Sequence, residues 1–278
     1  MKKSFIFVIV ILSCTVFMAL KLKIDGIPRT KVPGSSIIYV PTGKYLKFAS
    51  FGNSAMMADL IYLWAIQFYS NYYIQDRFDY LEHIFSIISD LDPRYLDPYE
   101  IGALIAVYEA KDVELAFKIL DMGLEKNPGQ WIFPFQAGHY AQMFLKDFII
   151  ARDYYEKTMK IEGAPSQTER LAANASFKMM DYETAWQSWR EIYQTATDDR
   201  VKKIAANHLY NVKASRDIEL IKKTLDLYSE KFDRQPLNLG QLVREGFLSS
   251  VPKDMDEKDY IYNPQTGEVR TATVWSKR

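Results

Sequence analysis

The chain has a single cysteine, Cys14, near its start. That rules out a disulfide within the chain and leaves the main body without a thiolate zinc cluster or thiol nucleophile. A body without disulfides suits either a reducing or an oxidising compartment. Glycine is also scarce, with 12 in 278 residues, which disfavours phosphate-cradling loops and all-β folds. The three histidines, His83, His139 and His208, lack metal-ligand spacing. Neither sign of charge dominates, because 35 basic side chains balance 35 acidic ones. No global field therefore draws the chain to nucleic acid. The sequence has no Gly-x-Gly-x-x-Gly, no phosphate loop, no His-Glu-x-x-His and no Gly-x-Ser-x-Gly. These absences predict a protein that is not an enzyme, with no cofactor, metal, small-molecule substrate or nucleic-acid partner.

Aromatic residues are abundant, at 14% with 19 tyrosines and 16 phenylalanines. They suit interdigitating helix faces, and the sequence repeats in a way that calls for such faces. Lys111-Asp112-x-x-x-Ala116 recurs as Lys146-Asp147-x-x-x-Ala151 and as Met180-Asp181-x-x-x-Ala185, at spacings of 35 and 34. A bulky residue follows each alanine one helical turn later: Leu120, Tyr155 and Trp189. The aspartate accepts from the free N–H groups that begin a helix. The alanine permits close approach of a second helix, and the bulky residue fills the gap beside it. Pro93 and Pro128, 35 apart, turn the chain between units.

This pattern resembles the tetratricopeptide repeat family. Ala137-Gly138-x-Tyr140 followed by Lys146-Asp147-Phe148-x-x-Ala151-x-x-x-Tyr155 carries the likeness best. One residue is extra between that glycine and alanine, and Ala103 and Ala172 stand where the family usually has glycine. The resemblance implies a mostly α-helical solenoid of about five helix pairs over residues 53–233. Tyr80–Leu91 forms the second helix of the first pair. The next pairs are Pro98–Ala110 with Asp112–Lys126, Ile132–Leu145 with Asp147–Ile161, and Gln167–Met179 with Asp181–Gln194. Leu171-Ala-Ala-Asn174 echoes as Ile204-Ala-Ala-Asn207, which predicts a fifth pair ending in Asp217–Phe232. The resemblance also implies a concave groove for a protein partner. Its positions fall on Glu100, Leu104 and Val107, then Phe135, His139 and Gln142, then Glu169, Ala173 and Ser176, and finally Lys202 and Ala206. The Lys/Asn cluster that clamps a C-terminal carboxylate in chaperone-binding members is missing, and the chain's own N-terminal segment is a rival occupant.

Ahead of the repeats, Lys2 and Lys3 precede an uncharged run from Ser4 to Leu20. At 17 residues it sits at the lower limit for a bilayer-spanning helix. Three readings remain open for residues 1–20: a single-pass inner-membrane anchor, a lipoprotein signal ending at Ile11-Leu12-Ser13-Cys14, or a cleaved signal peptide. Charge does not orient the run, since Lys21, Lys23, Arg29 and Lys31 outnumber Lys2 and Lys3, but a short Lys-Lys start is typical of export signals and favours a body outside the cytoplasm. Residues 21–52 read as a spacer punctuated by Pro28, Pro33-Gly34 and Pro41-Thr-Gly43, with a short strand over Ser36–Val40. Asn53 or Ser54 is expected to cap the next helix. Its apolar residues from Met56 to Phe68 lie on nearly all sides, which predicts a buried first layer or a surface against the anchor or a membrane partner.

The last segment, 234–278, reads as a small α/β module. Leu239-x-x-Leu242-Val243 gives a short helix with a stop at Gly246. Asp259–Asn263 and Glu268–Val274 flank Pro264-Gln-Thr-Gly267 as a β-hairpin. Tyr228-x-x-x-Phe232 through Leu248-Ser-Ser-Val-Pro252-Lys-Asp254 to Tyr260-x-Tyr262 and Thr266-Gly267 resembles the tail of type II secretion pseudopilins. That family's calcium loop is not placed here, nor is its long methylated N-terminal helix. A plain cap on the last repeat is the alternative.

Taken together, the sequence predicts a non-catalytic, membrane-tethered tetratricopeptide-type scaffold. Its expected role is to dock a protein partner in a bacterial envelope assembly, such as secretion or type IV pilus machinery. The alternative is an accessory subunit of an envelope polysaccharide or peptidoglycan enzyme complex.

Overall fold

The computed structural model describes residues 2–25, 41–74 and 76–273, with side chains of the first segment described from 10 to 23. The protein is mostly helical, with twelve α-helices and one short hairpin among the described residues. Residues 26–40 of the expected 21–52 spacer, including the strand expected over Ser36–Val40, lie outside them. The described remainder is largely helical rather than an open spacer, since one helix runs to Asp25 and another covers Gly43–Ala49. Helix α1 spans Lys2–Asp25. Among the described residues no helix is long and apolar enough to cross a membrane. Ser4 to Ile9 of the Ser4–Leu20 run lie outside the described side chains.

Helices α2 (Gly43–Ala49), α3 (Ser54–Tyr69) and α4 (Leu81–Leu91) pack on one another. Neither Asn53 nor Ser54 caps α3 with its side chain; the Asn53 amide instead donates to the Ser50 carbonyl at 3.4 Å. Helix α3 is also not buried on all sides. Ala58, Ala65, Phe68 and Tyr69 face the core, while Met56, Leu60 and Leu63 are exposed.

Three hairpins of one build follow. Helix α5 (Asp97–Ile105) widens into a π turn (Ala106–Ala110) before α6 (Val113–Lys126). Helix α7 (Ile132–Tyr140) does the same over Ala141–Leu145 before α8 (Phe148–Met159). Helices α9 (Gln167–Lys178) and α10 (Tyr182–Thr195) form the third. Each hairpin turns on one left-handed residue: Lys111, Lys146 or Met180, with φ of 61°, 57° and 62°. The aspartate that follows caps the second helix. Asp112 accepts from Leu115 N at 2.9 Å, Asp147 from Ile149 N and Ile150 N at 3.0 Å, and Asp181 from Thr184 N at 3.2 Å. Ala116, Ala151 and Ala185 are fully buried, and Leu120, Tyr155 and Trp189 are no more than 1% exposed. A β-carbon on Gly138 would lie 2.7 Å from the Tyr155 ring, so the backbone of α7 rests directly on it. Gly102, one position before Ala103, makes the matching approach to Phe85.

The expected fifth pair does not form. Residues Asp199–Phe232 make one continuous 34-residue helix, α11. No residue between Asn207 and Asp217 adopts the left-handed turn found at Lys111, Lys146 and Met180. Asp217 is not an N-cap but a buried acceptor, taking the Lys213 ammonium at 2.6 Å and the Tyr260 hydroxyl at 3.0 Å. The N-terminal half of α11 packs against α10 in the cluster around Trp189. Its C-terminal half supplies Ile221, Leu225 and Tyr228 to the core of the tail. That tail core therefore extends back across the expected boundary at 233.

The tail contains α12 (Gly240–Arg244), and its stop at Gly246 has φ 79°. Strands β1 (Ile261–Tyr262) and β2 (Val269–Arg270) pair antiparallel, with Ile261 opposite Arg270 and Tyr262 opposite Val269. The hairpin is shorter than its sequence pattern: β2 ends at Arg270, and Val274 lies outside the described residues. Three polar bonds lock the tail to α11: Tyr210 Oη to Asp254, Tyr260 Oη to Asp217, and Lys213 Nζ to the Lys253 carbonyl at 2.6 Å.

Candidate partner groove

A groove of about 610 Å³ opens where α7, α9, α10 and α11 meet. Helix α7 contributes Phe135 and His139; α9 contributes Gln167, Arg170, Leu171 and Asn174. Trp189 from α10 and Ile204 and His208 from α11 complete it. The helices align this way because the third hairpin repeats the Asp181 cap and Ala185 contact, which set Trp189 against α11. Its indole stacks on the His208 imidazole with centroids 4.0 Å apart and planes 3° from parallel. Burial pushes the His208 pKa down, so its ring is neutral at pH 7 and stacks as an apolar plate. Arg170 is the one permanently charged group in the lining, and no carboxylate lines the groove with it. Trp189, 1% exposed, forms only the floor, and the accessible lining offers the apolar side chains of Phe135, Leu171 and Ile204, the amides of Gln167 and Asn174, and the Arg170 cation. That is chemistry for holding an apolar segment with an acidic or carbonyl group.

Of the groove positions expected from sequence, only Phe135 and His139 line this hollow. Val107, Ala173 and Ser176 are buried in the helix contacts, so their side chains offer nothing to a partner. Glu100 accepts from Gln136 at 2.8 Å, which ties α5 to α7. Its half-burial raises its pKa, while the Gln136 bond offsets part of that rise. Leu104 is exposed on α5, away from the groove lining. Gln142 is engaged by the Tyr155 hydroxyl at 3.2 Å. Glu169 lies in a separate recess of about 340 Å³ with Arg170, Asp198 and Val201. Lys202 and Ala206 sit on α11 outside both hollows.

The lining residues not expected from sequence are Gln167, Arg170, Leu171, Asn174, Trp189, Ile204 and His208. Trp189 stood out as the third bulky residue of the repeat, and that signal pointed at packing rather than at a surface. Among the described residues no group of three His, Cys, Asp or Glu side chains is placed to hold a metal ion. No protein-family model matches the chain, and no curated protein is significantly similar to it.

Proposed function

We propose that this chain is a membrane-anchored α-solenoid of the tetratricopeptide type, a non-catalytic scaffold that docks a protein partner in the groove beside Trp189. The observation that carries this reading is the threefold recurrence of one hairpin. In each copy a left-handed residue, an aspartate cap, a buried alanine and a buried bulky side chain stand at the same offsets. Such units bury their faces only by stacking, and stacking leaves an extended surface for binding. Helices α3 to α11 accordingly contact their neighbours in chain order. The Ser4–Leu20 run supports a membrane anchor, with the body outside the cytoplasm. The pseudopilin-like tail favours an envelope assembly of the secretion or type IV pilus kind. Within that tail Asp254 closes the Pro252–Tyr260 loop by accepting from the backbone N–H groups of Asp256 and Lys258, both at 2.9 Å.

Affinity capture from detergent-solubilised envelopes tests the reading. The full chain should retain pilus or secretion components, and Arg170→Glu should lose them while remaining folded. Retention of a glycosyltransferase or hydrolase instead would move the protein to the polysaccharide-enzyme alternative.

A further inference from the structure

Residues 41–74 form a surface unlike the rest of the body. They contain three charged side chains, Lys44, Lys47 and Asp59, in 34 residues, against 25% charged over the whole chain. Yet they expose large apolar groups: Phe48 is 84% and Phe51 90% exposed, with Tyr45, Met56, Leu60 and Leu63 open beside them. Met56, Leu60 and Leu63 are spaced by four and three, so they share one stripe of α3. The opposite face of α3 is the one packed into the core. A soluble surface seldom combines such apolar exposure with so little charge. Both lysines lie on α2; Lys44 is exposed next to Tyr45, whereas Lys47 reaches back to the Asp90 carbonyl at 3.4 Å. Aromatic rings flanked by lysines are the composition of surfaces that sit at lipid headgroup level. Residues 26–40 link this face to α1, and a 15-residue linker fully extended spans at most about 55 Å. The face is therefore held within reach of whatever surface α1 enters.

We infer that the exposed face of α2 and α3 rests on the headgroup–acyl boundary of the membrane that α1 enters, an inference that depends on the anchor reading above. The membrane then fixes the orientation of the solenoid through two elements rather than one. Tyr45, Phe48 and Phe51 enter the boundary, Lys44 meets lipid phosphates, and the stripe of α3 lies along the surface, while Lys47 stays on the α4 side, donating to the Asp90 carbonyl at 3.4 Å. The groove beside Trp189, several helices further along the stack, stays in water.

The test uses the full chain with Cys14→Ser, carrying one environment-sensitive fluorophore through Phe48→Cys, Leu60→Cys, Leu12→Cys or Tyr193→Cys. Each is reconstituted in phosphatidylethanolamine vesicles with about one-third phosphatidylglycerol, with and without lipids brominated near the headgroup or, for the label at 12, near the end of the acyl chains. Labels at 48 and 60 are expected to lose about half of their emission to the brominated lipid, and the label at 193 none. Quenching at 12 without quenching at 48 and 60 would overturn the inference while leaving the anchor intact. A blue-shifted but unquenched label at 48 and 60 would also overturn it, and would mean that a second copy or the 26–40 segment covers the face. No quenching at 12 would defeat the anchor reading and this inference together.

Discussion

Substituting Gly138 by alanine isolates the contact on which the repeat depends. The added β-carbon would lie 2.7 Å from Tyr155 Cε1, 2.8 Å from Cδ1 and 3.2 Å from the Ala151 carbonyl. Carbon atoms rest at about 3.5–4.0 Å, so roughly 1 Å of movement is required. Tyr155 is fully buried, and its hydroxyl is bonded to Gln142. The ring therefore cannot simply swing away, and α7 and α8 must part. Overpacking of this kind costs about 1–3 kcal/mol. Alanine recovers up to about 1 kcal/mol of helix propensity relative to glycine. The net expectation is a loss of up to about 2 kcal/mol, read from urea unfolding followed by far-ultraviolet circular dichroism. Gly129→Ala is the control, because nothing lies within 4 Å of its added carbon. It should shift stability by no more than about 0.5 kcal/mol. In a Tyr155→Leu background the cost of Gly138→Ala should shrink, because the clashing ring atoms are gone. A Gly138→Ala effect that is the same with Tyr155 in place and in the Tyr155→Leu background would refute the claim that the helices meet at van der Waals contact there.

Further predictions concern the turns, the stacked histidine and the tail. Lys146→Gly should raise stability by about 0.5–1 kcal/mol in the same assay, because the left-handed φ of 57° strains any residue with a β-carbon; a loss would mean that the lysine side chain itself is needed. His208 has a depressed pKa, so on acidification the unfolded chain takes up its proton first, near pH 6.5, and stability falls as the pH drops from there towards the native pKa. His208→Phe keeps a ring against Trp189 and should flatten this loss between about pH 7 and 5; an unchanged slope would sink the assignment. Asp217→Ala strips the counter-charge from Lys213 and the acceptor from Tyr260, which should cost about 2–3 kcal/mol. Limited proteolysis should then speed up within 234–273 while α5–α10 stay resistant, and equal rates would contradict the locking role. Burial pushes the Asp254 pKa up, but the Lys258 N–H, the Tyr210 hydroxyl and the Asp256 N–H outweigh it, leaving the carboxylate below its ordinary range. The tail should therefore hold above about pH 4 and loosen as the pH falls through the native value of Asp254. Asp254→Asn should weaken the tail already at pH 7.

The hairpins were legible because each is specified locally. Asp147 caps within three residues of itself, and Ala151 and Tyr155 mark one buried face by their spacing alone. The residue by which the Gly138–Ala151 interval exceeds the tetratricopeptide pattern is taken up by the π turn at Ala141–Leu145. No local residue signals that device. Helix α11 was misread because the Ile204-Ala-Ala-Asn207 echo is local, whereas the role of Asp217 is set by partners far along the chain. Tyr260 lies 43 residues away and bonds it through the tertiary fold. Groove membership was legible only for Phe135 and His139, which project from an ordinary first helix. Trp189 and His208 reach the groove through the packing of α10 on the N-terminal half of α11. The three-dimensional meeting of Arg170 with that pair has no signature in spacing. For α3 the sequence offered both a buried layer and an apolar surface, and it could not say which face was which because Met56, Leu60 and Leu63 are as apolar as the buried Ala58, Ala65 and Phe68.

The most direct test of the docking claim is a site-specific crosslink in living cells. A photo-reactive residue replaces His139, which lines the groove with an exposed side chain, and a matched protein carries it at exposed Lys157 on α8. Gln142 is unsuited to the purpose because its side chain is held by Tyr155. The account predicts a discrete envelope protein captured from position 139 and not from 157. Capture of nothing at 139, or only of this chain's own N-terminal segment, would contradict it.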